Sequence, residues 1–521
     1  MKKTKELIKK TRTENFVKNT TIGIVMQFFS LILSFVSRTI FIKILTNNYL
    51  SINGLFSNIL STLSVVELGF GTALIYFMYK PVATDDKEQI NKILKYYKKV
   101  YTIIGLTMIA IGLMVIPFMK YIIKEPPAIK ENLNYIYILF LLNTVIGYFF
   151  SHKVAIINAY QKTYINSIYN QIFKWIQLVL QVAIIILTKN YILYLLIQLI
   201  CTLFNYLLIS FKANSLFPFI KDRNVGELSK KEKKEISKKV KSLIFYRMNP
   251  AILNGSDNII LSSFVGLKYV GIYSNYYLII SYISMFISQI TSSLEIGIGN
   301  LNALETKEKK EKTFYNSFYL CFFIHGIVCA LLMALTNDFI RIWLGEEYVF
   351  SNFILFSIIL ILFINGMQFT CYSFRTTAGL FEKNRFVPLY EVIINLLVSI
   401  ILAKYLGVVG VFLGTSIARL STLFWTDPQL LYNELFDKNN KKYYYIRYLK
   451  YTIIAAFSGA LSFFLSTKFA VNSFFMWIIK AVFLSIFVIG IFIILTYKSD
   501  EFRVFYENIK KIFKKIIKKG K

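Results

Sequence analysis

Apolar residues run along this chain in stretches of about twenty, the helical length that crosses a hydrocarbon core ~30 Å thick, and short polar or basic connections separate them. The pattern predicts fourteen helices, near residues 20–44, 52–79, 98–118, 133–152, 164–188, 191–211, 242–265, 271–300, 314–335, 350–374, 386–403, 408–432, 448–467 and 472–497. Within several of them the polar residues recur every three or four positions, so each set lies along one face. Gln27, Ser30, Ser34 and Arg38 form such a stripe in the first helix, and Ser57, Ser61, Ser64 and Glu67 in the second. The seventh carries Arg247, Asn254 and Asp257, and the eighth carries Ser281, Ser284, Ser288, Thr291 and Glu295. Lipid offers no hydrogen bonds, so these faces are expected to look into protein or water.

Close helix packing would explain the serines alone. It does not explain the ionisable residues, because an unpaired charge at bilayer depth costs at least ~2.5 to 3.5 kcal/mol. Arg38, Glu67, Arg247, Asp257 and Glu295 are therefore expected to line a hydrated cavity, with some of them paired to one another. Lys174, Arg375, Glu391 and Arg419 extend the set; for Lys174, Arg375 and Arg419 a second reading is a side chain that snorkels to an interface. In "RMNPAILNGSDNII" Pro250 removes a backbone donor and Gly255 loosens the turn, so a bend that acts as a gate is expected there.

A faint repeat orders these helices. "NGLFSN" at 53–58 answers "VGIYSN" at 270–275, "AYQK" at 159–162 answers "LFEK" at 380–383, and "TLF" at 202–204 answers "TLF" at 422–424, at offsets of 217, 221 and 220 residues. The spacing implies two six-helix halves, 20–211 and 242–432, in the same orientation and joined by a basic linker at 212–241. Residues 1–19 form a basic N-terminus, 433–497 add helices 13 and 14, and 498–521 are a basic tail. "ELGFG" at 67–71 is echoed by "EIGIG" at 295–299, and the 11 residues of extra offset are about three turns, which keeps the helix face.

Composition fixes the class. Hydrophobic residues make up 56% and mean hydropathy is +0.55, yet the net charge is +32, which points to a polytopic membrane protein and excludes a soluble nucleic-acid binder. Lys and Arg crowd the connections on the side of the N-terminus, which places both termini in the cytoplasm. The first apolar segment is longer than a signal peptide core and lacks a small-residue cleavage site, so it is expected to be retained. "KKIFKKIIKKGK" has the basic amphipathic pattern of an anchor on anionic membrane lipids. Cys201, Cys321, Cys329 and Cys371 sit in apolar runs without CxxC spacing, and His152 and His325 lack metal-site company. No metal, no cofactor and no nucleotide-driven step is expected, and the chain does not read as an enzyme.

Two blocks carry a resemblance: "SRTIFIKILTNNYLSINGLFSNILSTLSVVELGFGTALIYFMYKPVATDDKEQINKILKYYKKVY" and "FRTTAGLFEKNRFVPLYEVIINLLVSIILAKYLGVVGVFLGTSIARL". They resemble bacterial polysaccharide transporters of the Wzx-type oligosaccharide flippase group, within the multidrug/oligosaccharidyl-lipid/polysaccharide (MOP) exporter superfamily. The resemblance implies an all-α polytopic fold of about 14 transmembrane helices, with two parallel six-helix lobes in a MATE-like V and two extra C-terminal helices. It implies a monomer in the bacterial cytoplasmic membrane. The substrate would be an oligosaccharide on a polyprenyl pyrophosphate, moved from inner to outer leaflet by alternating access, with polysaccharide polymerase and export machinery as partners.

In such a cavity Arg38 and Arg247 would meet the diphosphate, joined by Lys174, Arg375 and Arg419. Glu67 would pair with Arg38 in the empty state or take up a proton, and Asp257, Glu295 and Glu391 would share charge pairing or coupling to H+ or Na+. Two other functions compete. A multidrug cation antiporter of the same superfamily would want an acidic, aromatic cavity. A membrane polysaccharide polymerase or ligase would want a long outer loop, and the longest outer connections here, 119–132 and 336–349, are short.

Overall fold

The computed structural model describes the backbone of residues 2–519 except 68–69, 223–224 and 381–382, and side chains outside 1–25, 65–66, 72–73, 239, 241–254, 292–293, 296, 300, 303–304 and 512–521 as well. Helices α1 (Lys2–Leu63), α2 (Phe70–Ala83), α3 (Lys87–Val115), α4 (Met119–Ile122), α5 (Leu133–Ala159), α6 (Thr163–Thr188) and α7 (Tyr191–Leu216) come first. They are followed by α8 (Lys230–Ile260), α9 (Leu267–Leu304), α10 (Lys307–Leu344), α11 (Asn352–Thr377), α12 (Val387–Leu406), α13 (Val408–Ser421) and α14 (Leu423–Glu434). The chain closes with α15 (Lys441–Thr467), α16 (Phe474–Thr496) and α17 (Asp500–Lys519).

Each expected span is mostly helical, although 52–79 is broken at Ser64–Glu67, 242–265 ends in an irregular turn after Ile260, and 408–432 is divided between α13 and α14. Twelve helices among the described residues are long and apolar enough to cross a membrane. The first two expected spans count there as one, because α1 is two helices joined at Thr46, whose φ of 72° and ψ of 170° break the spiral in "TNNY". That left-handed φ is unfavourable for a β-branched residue and marks a turn. Polar side chains set helix starts where the apolar stretches begin. Asp86 caps α3, Asn132 α5, Asn190 α7, Ser351 α11 and Ser473 α16, each accepting from a backbone N–H of the first turn.

The chain divides into two compact units. The first comprises residues 1–120 and 127–243, and the second residues 121–126 and 244–521. In the first unit α5 packs against α3, α7 and α2, and α6 packs against α1 and α7. Its linker segment docks by side-chain bonds: Asn91 donates to the carbonyls of Phe219 and Asp222, Lys95 to that of Val225, and Gln89 to Glu232. In the second unit α10 is the hub, with α9, α11, α15, α16 and α17 around it. Helices α12 and α13 press closest, where Gly410 leaves no room for a Cβ against the Leu402 carbonyl. The bend expected at Pro250 and Gly255 is not where regularity fails. α8 continues through Gly255 to Ile260, and the irregular turn is the π-helical Leu261–Val265 before Gly266; the Pro250 side chain lies outside the described residues.

Helices α15 and α16 are fused to α10 by polar bonds inside an apolar contact. Ser462 and Ser466 donate to the carbonyls of Ala330 and Ala334, and the Trp477 indole donates to that of Leu335. Lys480, 3% exposed, donates to Asp338 Oδ2 at 2.6 Å and to the Ser466 and Phe469 carbonyls, so a buried ammonium has three partners.

Candidate functional site

Glu67 ends a single 3-10 turn, Ser64–Glu67, that interrupts the helix expected at 52–79. The interruption aims its carboxylate into a cavity of about 380 Å³ inside the first unit, whose walls include Tyr97, Thr144, Tyr148, Asn158, Asn170 and Tyr206. Tyr101 Oη donates to Glu67 Oε1 at 3.0 Å, and its ring stacks on Tyr97 with centroids 4.5 Å apart. A Cβ on Gly71 would stand 2.6 Å from the Tyr101 hydroxyl and 3.1 Å from that of Tyr97. The last glycine of "ELGFG" is thus what lets two tyrosines approach the acid. Tyr148 adds a bond to Ser64 Oγ at 3.1 Å. Elsewhere in the first unit the predicted polar stripe of α1 is engaged by α6: Trp175 Nε1 donates to Ser30 Oγ at 2.8 Å and Gln171 to the same oxygen.

Arg38 is half-buried in α1 and within electrostatic reach of Tyr194. Lys174 is exposed on α6. The Arg247 side chain lies outside the described residues, and Glu295 is half-buried in α9. The two echoed motifs therefore differ locally, since Glu67 sits on a broken turn and Glu295 in a continuous helix.

Three further polar clusters among the described residues of the second unit include sequence-predicted site residues. Asp257, 8% exposed, accepts from Thr415 Oγ1 at 3.1 Å; Asn395 donates to the same hydroxyl at 2.8 Å, and Ser256 donates to Asn395 Oδ1 at 3.3 Å. Glu391, 1% exposed, accepts from Arg419 Nε at 2.7 Å, and a second guanidinium nitrogen of Arg419 donates to Asn365. Asn365 is exposed at the middle of α11, and Arg419 is partly exposed. Gln368, one turn beyond Asn365, is buried, and among the described residues neither end of its amide has a hydrogen-bond partner.

In the third cluster Arg375 is buried: its Nη1 donates to Asp427 Oδ1 at 2.5 Å, and both side chains are about 5% exposed. It acts as glue between α11 and α14, and it does not snorkel. Asp427 was not singled out in the sequence, although an acid within "LFWTDPQLL" meets the criterion that selected Arg419. Lys480 in "FFMWIIKAVFLS" is a second such case. Asn365 carries no charge and had no sequence signal. Among the described residues no group of three or more His, Cys, Asp and Glu could hold a metal ion.

No family model and no curated protein sequence matches the chain. Solved structures do. An inward-facing multidrug resistance MATE family transporter of the MOP superfamily matches at 14% identity and TM-score 0.57, over 77% of this chain and 94% of that one. The lipid II flippase MurJ, in an inward closed conformation, matches at 15% identity and TM-score 0.60, over 91% of this chain and 99% of that one. A MOP superfamily transporter from Pyrococcus furiosus, described as having a binding pocket of reverse polarity that suggests a different function, matches at 12% identity and TM-score 0.50, over 77% and 96%. Further MATE structures match at TM-scores of 0.50 to 0.52. The protein thus has the all-α, polytopic fold of MATE and MurJ transporters. At these identities the likeness is one of fold, and it does not single out the Wzx-type group.

Proposed function

We propose that this chain is an alternating-access transporter of the bacterial cytoplasmic membrane that carries an anionic amphiphile, an oligosaccharide on a polyprenyl pyrophosphate, from the inner to the outer leaflet. The observation that carries the reading is a pair of cations reaching the surface at the middle of apolar helices: Lys174 in Thr163–Thr188 and Arg419 in Val408–Glu434. At mid-helix they stand roughly half of a ~30 Å core from either face, too deep to snorkel, so water must reach them. Glu391 and Asn365 use two edges of the Arg419 guanidinium, which fixes its plane and leaves donors for a phosphate. In the other unit Lys174 forms no ion pair among the described residues, so its charge is likewise open to an anion.

Asp257 and Glu67 serve coupling on this reading. A buried carboxylate whose partner is a hydroxyl needs a proton or a sodium ion as counter-charge, and among the described residues Asp257 accepts from Thr415 alone.

A second reading, multidrug cation antiport, is favoured by the Glu67 cavity, where a carboxylate ringed by tyrosines suits an organic cation, and by the multidrug function named for the MATE structures. Thermal shift of the purified protein separates the two. A polyprenyl diphosphate should raise Tm in the wild type and fail to do so in Lys174→Ala and Arg419→Ala. Stabilisation by tetraphenylphosphonium instead, lost in Glu67→Gln, would establish the antiporter.

A further inference from the structure

The helix that follows α16 is fixed at its start, and this arrangement is independent of what the transporter carries. α16 ends at Thr496 and α17 begins at Asp500, so the helix starts where the chain leaves the apolar span. Its first turns are pinned. Arg447 Nε donates to Glu501 Oε1 at 3.0 Å while its guanidinium lies 4.0 Å over the Tyr315 ring. Phe505 packs on Tyr319 and Phe323 of α10, with centroids 6.0 and 5.0 Å away.

The apolar stripe that makes those contacts continues past them in the sequence. Phe502, Phe505, Ile509, Ile512, Phe513, Ile516 and Ile517 recur at three or four residues along the helix. After Glu507 the remaining charges are seven lysines, at 510, 511, 514, 515, 518, 519 and 521, with no acid among them. Lys510 and Lys511 are exposed beside a half-buried Ile509.

We propose that α17 lies in the cytoplasmic membrane interface and selects anionic phospholipid, anchoring the cytoplasmic end of the α10–α15 contact to that leaflet. Lysines flanking an apolar stripe meet a negative headgroup layer while the stripe enters the acyl boundary. The three-residue connection from α16 keeps the stripe at the height of that boundary, which favours a lipid surface over an acidic protein in the cytoplasm. Tyr497 and Tyr506, both more than half exposed, stand at the same junction, as aromatic residues do at membrane interfaces.

The test uses the full-length protein in nanodiscs of phosphatidylcholine with and without phosphatidylglycerol. A nitroxide is attached at Ile512→Cys; the four native cysteines are buried and do not compete. With phosphatidylglycerol the label should become more accessible to oxygen and several-fold less accessible to a water-soluble nickel chelate. That change should be absent in phosphatidylcholine alone. It should vanish when Lys510, Lys511, Lys514 and Lys515 are changed to Glu, and weaken when they are changed to Gln, in protein that still elutes as a single species. A label open to the nickel chelate in both lipids would overturn the proposal and leave the helix to an acidic protein partner. Equal burial in both lipids would overturn the selection of anionic headgroups.

Discussion

At the scale of single residues, the placement of Glu67 depends on a glycine and a tyrosine. Tyr101→Phe removes the donor to Glu67 Oε1 without changing the ring stack, so transport should fall while the fold persists, as checked by thermal unfolding beside a transport assay. Gly71→Ala drives a methyl into the two tyrosine hydroxyls and should damage both. The Arg375–Asp427 pair behaves differently because neither side chain reaches a ligand. Arg375→Met strands a buried acid and should cost about 3 to 5 kcal/mol of stability. The double variant Arg375→Met, Asp427→Leu should recover most of that loss in unfolding experiments. A single variant as stable as the wild type would mean that the pair is not structural.

At the scale of elements, the apolar runs specify where the helices are, and they do so because lipid allows no unpaired backbone. What sits between helices was less legible. The 3-10 turn at Ser64–Glu67 and the π turn at Leu261–Val265 leave no mark in hydropathy, since both are made of residues equally at home in an α-helix. Pairings were legible by residue type and not by partner: Glu391 and Arg419 stand out in sequence, yet only the packing of α12 on α13 brings them to 2.7 Å. Lys480→Met should loosen α16 from α10 by removing the bond across to Asp338, which then keeps only Arg341 of its own helix, lowering Tm and exposing the α16 segment to hydrogen exchange. The linker start of α8 is a capping box, in which Glu232 accepts from the Ser229 amide and hydroxyl. Those bonds to Ser229 hold the Glu232 carboxyl below its ordinary value. Because the shift is downward, the stabilisation is present above the unfolded value of about 4.3 and is lost as pH falls through the lower folded one. The protection of residues 230–240 against hydrogen exchange, taken relative to the intrinsic exchange rate at each pH, should therefore fall on acidification in the wild type, and should already be lower at neutral pH in Ser229→Ala.

At the scale of the whole molecule, the fold is shared with transporters of different cargo, so the cargo has to be read from the charges at bilayer depth. Those charges are of both signs. The cationic positions Lys174 and Arg419 reach the surface, whereas Asp257 and Glu391 are buried. This division is the basis for assigning the first pair to a diphosphate and Asp257 to coupling. Asp257→Asn should leave lipid binding intact and abolish the response of transport to a proton or sodium gradient. The measurement that bears most directly on the account is transfer of a fluorescent polyprenyl-pyrophosphate oligosaccharide across liposomes containing the purified protein, wild type beside Arg419→Ala and Lys174→Ala. The account predicts transfer by the wild type and a loss of at least tenfold in each variant with folding retained. Absence of wild-type transfer across a broad panel of glycans, together with gradient-driven efflux of organic cations, would contradict it.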